Sequence, residues 1–579
     1  MQICLPKEQV ERFVRSLKEG RIIPEKLADM TSNERRTFFS EIVGLEDARS
    51  VNALFESKLL LKNQKQGLVT WAKTVAGLKE PVRRDMISRI EKMEKVLDSK
   101  EEAMFLEDLA SQKLGTDVTY AEAKQIMEMS KDLTEAKIEA KKVVDKPGYD
   151  VKKESISDKK IRTEYGVKLV LMQEYVLDLK GGKTTLTQDI INAIKDPKKF
   201  PIFAANVTKS IVASLDNSFF LNQGIFALFD YKTSGMWFNV FKKSFGDIGI
   251  ALKGGDPVIG IKGDIYSRPN ALNGNYERMK LAIEIATEEA IPTTIGEKLP
   301  IVGRFFKASN SAYNGAALRL RADIADMKIK QWEKNGQNLK DREVAQSLGN
   351  SVNAFTGRGD TGVLTGENVN AFVFSVKFAK SKFDVLTSHL LSSKVDAFTK
   401  QQAALSLLRM TGASAATMAL SETINPGSTE LDPRGTNFGK IKIGNTWYPT
   451  ALSGAGIPNL VARTLIPTTH NGKWGLWMKN NKGVYTNLLA GKYGQLTAKD
   501  IAEGYFEGKG SPIVRALLDI WNGKDFQGNK STPGNVAQNL ITPITIGNVY
   551  YAFDNPKEEY PFFNALMAAL GSSPSIPKK

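Results

Sequence analysis

The sequence predicts a mainly α, multi-helical protein with one small β-hairpin in its C-terminal region. Three observations lead there. Apolar residues recur at spacings of three and four between 163 and 420, and β-branched alternation is sparse over the same span. After residue 421 the texture changes to Gly, Pro, Asn and Thr, where turns and short strands are expected. The 579 residues are enough for several domains, and hydrophobic and charged fractions of 42% and 25% are those of a folded globular chain.

Residues 1–130 read as an N-terminal helical unit. Val10, Phe13, Val14 and Leu17 share one helical face that Gly20 closes, and Thr31 with Glu34 makes a capping box ahead of Phe38, Phe39, Ile42 and Val43. The stretch TYAE at 119–122 offers a second capping box, in which a threonine and a glutamate three positions apart satisfy each other's free backbone N–H. Residues 131–162 are charged, poor in large apolar side chains after Val144, and broken by Pro147 and Gly148. They are expected as an exposed charged linker or an extended helix, open to proteolysis.

Residues 163–420 form the expected central helical domain. Within it, GMWFNVFKKSF at 235–245 places Trp237, Phe238, Phe241 and Phe245 on one face and turns Lys242 and Lys243 away from it. That stripe is expected to be core, although a helix lying in a lipid interface carries the same pattern. No run of 18 apolar residues occurs, so no transmembrane helix is expected. The nearest approach, AALSLLRMTGASAATMAL at 403–420, is interrupted by Arg409 and rich in small residues, and it is read as a buried helix. In the mixed region 421–579, GKIKIGNTWYP at 439–449 predicts a tight hairpin with a primed turn at Gly444 and Asn445, and SPIVRALLDIWNG and YPFFNALMAALG are helical again.

Charge points to partners. The formal net charge is +16 and the pI about 9.4, so polyanions such as DNA or anionic lipid are the expected electrostatic partners. Cys4, His389 and His470 are the only cysteine and histidines, which excludes disulfide frameworks and zinc sites built on Cys and His clusters. Neither histidine lies by a nucleophile elbow, so a Ser-His-Asp system is not expected. The first residues, MQICLPKEQVERF, lack a basic segment followed by an apolar core, so no secretory signal is expected.

Several motifs look like chemistry at first sight. NAFTGRGDTG at 353–362 has the G-x-G-x-x-G spacing of a dinucleotide loop, but that loop needs a strand before it and a helix directly after it. Val344, Leu348, Val352 and Phe355 recur instead at helical spacing, so the glycines follow a helix. Gly357 or Gly359 is therefore expected at positive φ as a helix C-cap, with Asn353 and Arg358 as the notable polar residues and Arg358 reaching a nearby carboxylate or carbonyl. The adhesion tripeptide Arg358-Gly359-Asp360 stands alone and carries no adhesin reading. LKGGKTT at 179–185 ends like a phosphate loop but has Leu177 where the loop needs glycine, so no ATP site is expected. GKWGLWMKNNKGVY at 472–485 interleaves Trp474, Trp477 and Tyr485 with lysines, which suits either stacking on bases or a surface loop anchored by its aromatics. No catalytic, metal or cofactor residue and no small-molecule substrate is assigned, which favours a non-enzymatic structural or interaction protein; a carboxylate-only enzyme such as a nuclease or a peptidoglycan-cleaving protein, and a membrane-active conduit for DNA delivery, are the alternatives the residues leave open.

Taken together, SIVASLDNSFFLNQG (210–224), LPIVGRFFKASNSAYNGAALRLRAD (299–323), VNAFTGRGDTG (352–362), DPRGTNFGKIKIGNTWY (432–448) and LLDIWNGKDFQG (517–528) follow an order that resembles the large polyvalent protein-associated helical regions of bacteriophages and mobile elements. The resemblance covers roughly 200–570. It implies a helical module of a phage protein that travels in the virion and enters the host with the DNA, with DNA, other virion proteins or membrane as partners, and with no catalytic residue to carry over. Virion or host cytoplasm is the implied location. Related patterns carry Ser-Pro-Arg where FVFSVKFAKSKF has Val376 and Lys377 after Ser375, so a contact shared at that point is in doubt. Asp216 and Asn217, both good cap residues, are expected to anchor a helix end.

Overall fold

A computed structural model describes residues 119–181, 195, 219–283, 303–359, 376–392, 395–454, 456–481, 483–489, 495–507, 512–523, 530–541, 544–570, 572 and 575. Among these the architecture is mainly helical, with three two-stranded antiparallel sheets and no parallel pairing between strands. The expected helices before residue 119 lie outside the described residues.

The chain divides into two compact units, residues 1–137 with 168–183, and residues 138–167 with 184–579. In the first unit, helix α1 (Tyr120–Val144) begins on the predicted capping box. Thr119 donates its backbone N–H and its hydroxyl to the Glu122 carboxylate, each at 2.8 Å, and Glu122 N–H returns to the Thr119 hydroxyl at 3.4 Å. Helix α2 (Ile156–Gly181) contributes its later turns to the same unit, and Ser130 meets the Met172 sulfur at 3.9 Å. Of the two forms expected for 131–162, the helical one describes 131–144 and 156–162, with the Pro147-Gly148 break as a turn between them. Arg162, expected on an exposed segment, is fully buried.

The second unit is built around one helix. α6 (Gly303–Lys334) is buried over most of its surface between Ala316 and Ile329, with Leu320, Ile324, Ile329 and Trp332 at or near zero exposure and Lys330 exposed. A helix is buried on more than one face only when several elements pack around it. α4 (Tyr231–Leu252) runs the most extensive contact with it, and α5 (Pro257–Tyr266) and α7 (Arg342–Phe355) pack on it too. The short α3 (Ile225–Phe229) leads into α4, α8 (Val376–Phe383) packs on α7, and α9 (Ala397–Ile424) contacts α3 and α7. Phe219, Phe220, Ile225, Phe226, Trp237 and Phe355 join the α6 side chains in one continuous core.

The C-terminal part carries the strands. β1 (Lys440–Ile443) pairs with β2 (Thr446–Pro449) in the register Ile443 to Thr446, leaving the expected two-residue loop. Gly444 has φ +56° and Asn445 is not positive, the pattern of a II′ turn with glycine first. After α10 (Ile457–Thr464), two further hairpins appear where a single one was expected: β3 (Thr468–His470) with β4 (Lys473–Gly475), and β5 (Trp477–Lys479) with β6 (Tyr485–Asn487). The first of these turns on Asn471 and Gly472, both at positive φ, an Asn-Gly signal present in the sequence. Helices α11 (Ala498–Glu507), α12 (Pro512–Asn522), α13 (Pro533–Ile541), α14 (Ile544–Asp554) and α15 (Pro561–Ala569) follow.

Candidate interaction surface

The glycine motif is a helix stop. α7 ends at Phe355, Gly357 sits at φ +86°, Gly357 N–H bonds Ala354 O at 3.1 Å and Arg358 N–H bonds Asn353 O at 2.8 Å. Those two bonds are the paired closures of a Schellman C-cap. A Cβ on Gly357 would also come within 2.9 Å of the Gln223 side chain, so glycine is required twice over. Asn353 clamps the turn at 280–282: its amide oxygen accepts from Ala282 N–H at 2.9 Å and its amide nitrogen donates to Lys280 O at 3.0 Å. Buried Arg321 braces this turn, donating to the Thr356 hydroxyl at 2.9 Å, to Thr356 O at 3.2 Å and to Ala282 O. Gly359 is buried beside the turn. Asp216 and Asn217 lie outside the described residues.

Arg321 belongs to a series that sequence reading did not assign. The stretch RLRADIADMKIK on α6 carries six charged side chains, and five of them reach partners on other parts of the chain. Arg319 pairs with buried Asp247 of α4, and Arg321 braces the α7 stop. Asp323 and Asp326 accept from Arg268 at 2.9 and 3.0 Å, while Asp326 also accepts from the Tyr276 hydroxyl at 2.6 Å. Arg268 and Arg162 both reach Asp264, at 3.1 and 2.8 Å, and Arg162 also holds Glu154 at 2.7 Å. Burial pushes the Asp264 carboxyl up, but the two guanidinium groups outweigh it and hold the group below its ordinary range. These acids converge on guanidinium groups, so the arrangement offers internal neutralisation and no open pair of carboxylates for acid-base chemistry.

Lys328 completes the series differently. It is buried on α6, 3.3 Å from the Ser351 hydroxyl, with its ammonium 6.0 Å from the Trp332 ring centre and 5.4 Å from that of Phe355. Burial pulls its pKa down to about 8, opposed by the charge of Asp230. Among the described residues, no group of three or more His, Cys, Asp or Glu side chains could hold a metal ion.

In the β-hairpin region, Trp477 and Tyr485 of the tryptophan-lysine stretch are anchored in the fold. Trp477 is buried and donates its indole N–H to Thr468 O at 3.2 Å. Tyr485 stacks on His470 at 3.9 Å between ring centres and donates to Asp432 at 2.5 Å, and Arg434 packs over the same ring. Burial pushes the Asp432 carboxyl up, but hydrogen bonds from Arg434 and Tyr485 prevail and hold it at about 2. Lys479 is paired with Glu430 at 2.6 Å, so these aromatics and this lysine are committed to the fold, while Trp474 projects from β4.

Large apolar side chains also remain outside the core. On α4, expected as a core stripe, Trp237 is buried and Phe241 half-buried, but Phe238 and Phe245 are each 58% exposed. α9, expected as a buried helix, buries only a narrow line through Ser406, Met410, Ser414 and Met418, and it exposes Leu405, Leu408, Leu420 and Ile424. Its most apolar 18-residue window is 22% buried, and among the described residues α9 is the one helix long and apolar enough to cross a membrane. The physical reason for both departures is that a face is buried only if another element covers it, and periodicity records the face without recording the cover. Arg409 of α9 is held to Asp230, the N-cap of α4, at 2.7 and 2.8 Å. Farther along, Trp521 on α12 and Phe562 on α15 are 88% and 80% exposed.

Comparison with protein families, with curated proteins and with solved structures finds no match to this chain.

Proposed function

We propose that the chain is a non-enzymatic structural or interaction protein of bacteriophage type, associated with the virion or delivered to the host with the DNA. The observation that carries the reading is the division of labour among side chains. Arg319, Arg321, Asp323, Asp326 and Lys328 of the central helix are committed to internal contacts, while large apolar side chains on α4, α9, α12 and α15 are left at the surface. Exposed apolar surface of that extent is characteristic of proteins that work by contact with a partner. The net charge of +16 favours DNA or another polyanion among those partners. The order of segments resembling large polyvalent protein-associated regions supports the phage origin and a part in DNA ejection.

Mass spectrometry of gradient-purified phage particles tests this directly. Peptides spread along the chain are expected in the particle fraction. Their absence from particles, with the protein abundant in the infected lysate, would remove the virion reading.

A further inference from the structure

α4 carries a second pattern beneath its amphipathicity. Tyr231, Phe238, Phe245 and Leu252 recur every seven residues over the whole 22-residue helix, and all four are exposed, Tyr231 at 71% and Leu252 at 42%. A seven-residue spacing drifts by only about 20° per repeat, so the four form one gently winding stripe about 32 Å long. The exposed rings are propped from below. Phe238 stands edge-on against buried Trp237 at 5.0 Å, and Phe245 stands edge-on against Phe241 at 5.1 Å. Trp237 and Phe241 stack on each other at 5.3 Å, and both meet core Phe220. The stripe is a fixed array whose rings lose little freedom when a partner covers them.

The exposed charged side chains of α4 have one sign, Lys242 lying next to the stripe and Lys232 and Lys243 farther round the helix. Lys232, Lys242 and Lys243 are exposed on the helix, and Lys253 is its exposed C-cap. Its one carboxylate, Asp247, is buried and paired with Arg319, and the capping Asp230 is taken by Arg409. The Arg409 guanidinium lies 5.8 Å from the Tyr231 ring centre, and α9 exposes Leu405 and Leu408 within one turn of that arginine.

We propose that α4 is a docking face for an anionic lipid bilayer, lying in the plane of the interface with the Tyr231–Leu252 stripe at the acyl boundary and its lysines on the lipid phosphates. Aromatic and aliphatic side chains beside lysines, without an acid, are the chemistry such a surface recognises. Two other occupants fit less well. A second copy docking by a two-fold axis would bring four lysines against four lysines. Duplex DNA would meet the lysines but offer nothing apolar to the stripe. The inference goes beyond the proposed virion role and does not depend on it, since particle composition and vesicle binding are read separately.

The test is flotation of the full chain with phosphatidylcholine vesicles, with and without phosphatidylglycerol, at low and high salt. Binding to the phosphatidylglycerol vesicles that weakens with salt is expected. Phe238→Ser with Phe245→Ser should lower partitioning by on the order of 100-fold, from the loss of two buried rings. Lys232→Gln with Lys242→Gln and Lys243→Gln should lower it comparably on anionic vesicles, at roughly fivefold per lysine, and leave phosphatidylcholine unaffected. Circular dichroism checks that each variant is folded, and if the phenylalanine variant is not, the exposed lysine variant decides. The proposal is overturned if wild type stays in the bottom fraction with both vesicles, or if a folded variant floats like wild type. It is equally overturned if the phenylalanine pair abolishes self-association or single-stranded DNA binding while vesicle binding is unchanged.

Discussion

Replacing Lys328 by methionine should make the protein more stable, although it removes a hydrogen bond and two cation-ring contacts. The ammonium is buried among Trp332 and Phe355 without a carboxylate in contact, and its pKa falls from the usual lysine value of 10.5 to about 8. A displacement of that size corresponds to about 3 kcal/mol of penalty on the charged form. The two rings return about 1 to 2 kcal/mol at their observed distances, and methionine keeps similar volume and can rest against the same rings. The net expectation for Lys328→Met at pH 7 is a gain of about 1 to 2 kcal/mol. The pH dependence has a definite sign. Below pH 8 the folded and unfolded chains both hold the proton, so the penalty is felt in full. Between about 8 and 10.5 the unfolded chain binds more protons than the folded one, so wild-type stability rises with pH relative to the variant. Thermal and urea denaturation of the two proteins side by side, at pH 7 and again near the upper end of that window, reads the difference. A variant less stable than wild type at pH 7, or a difference that does not change with pH, would refute the reasoning and show that the Lys328–Ser351 pair holds the core together.

Two further substitutions probe the stop of α7. Gly357→Val places a β-branched side chain at φ +86° and against Gln223, and it should cost about 1 to 3 kcal/mol in denaturation with no NAD or ATP affinity present in calorimetry before or after; an unchanged melt, or nucleotide affinity lost on mutation, would restore a phosphate-loop role. Asn353→Ala leaves Ala282 N–H and Lys280 O without their partner and should cost about 1 to 3 kcal/mol, with faster hydrogen exchange at the Ala282 amide as the local readout; unaltered exchange there would contradict the clamp.

Features set by neighbours in sequence were legible from the residues alone. The Thr119 and Glu122 box, the helix stop at Gly357 and the turn at Gly444 each depend on bonds that close within a few residues, so residue type and spacing suffice to place them. The Asn471-Gly472 hairpin was equally local and carried its signal in the dipeptide. The braces of α6 were not legible, because each reaches far along the chain: Arg268 meets Asp323 and Asp326, Arg319 meets Asp247, and Arg321 meets Thr356. A charge in a sequence says what it can pair with, and only packing supplies the partner and removes the water between them. The same holds for the apolar faces. The spacing of Phe238 and Phe245 fixed that they share a side of α4, but α6 covers the opposite side, and so the tertiary structure alone decided that these rings face outward.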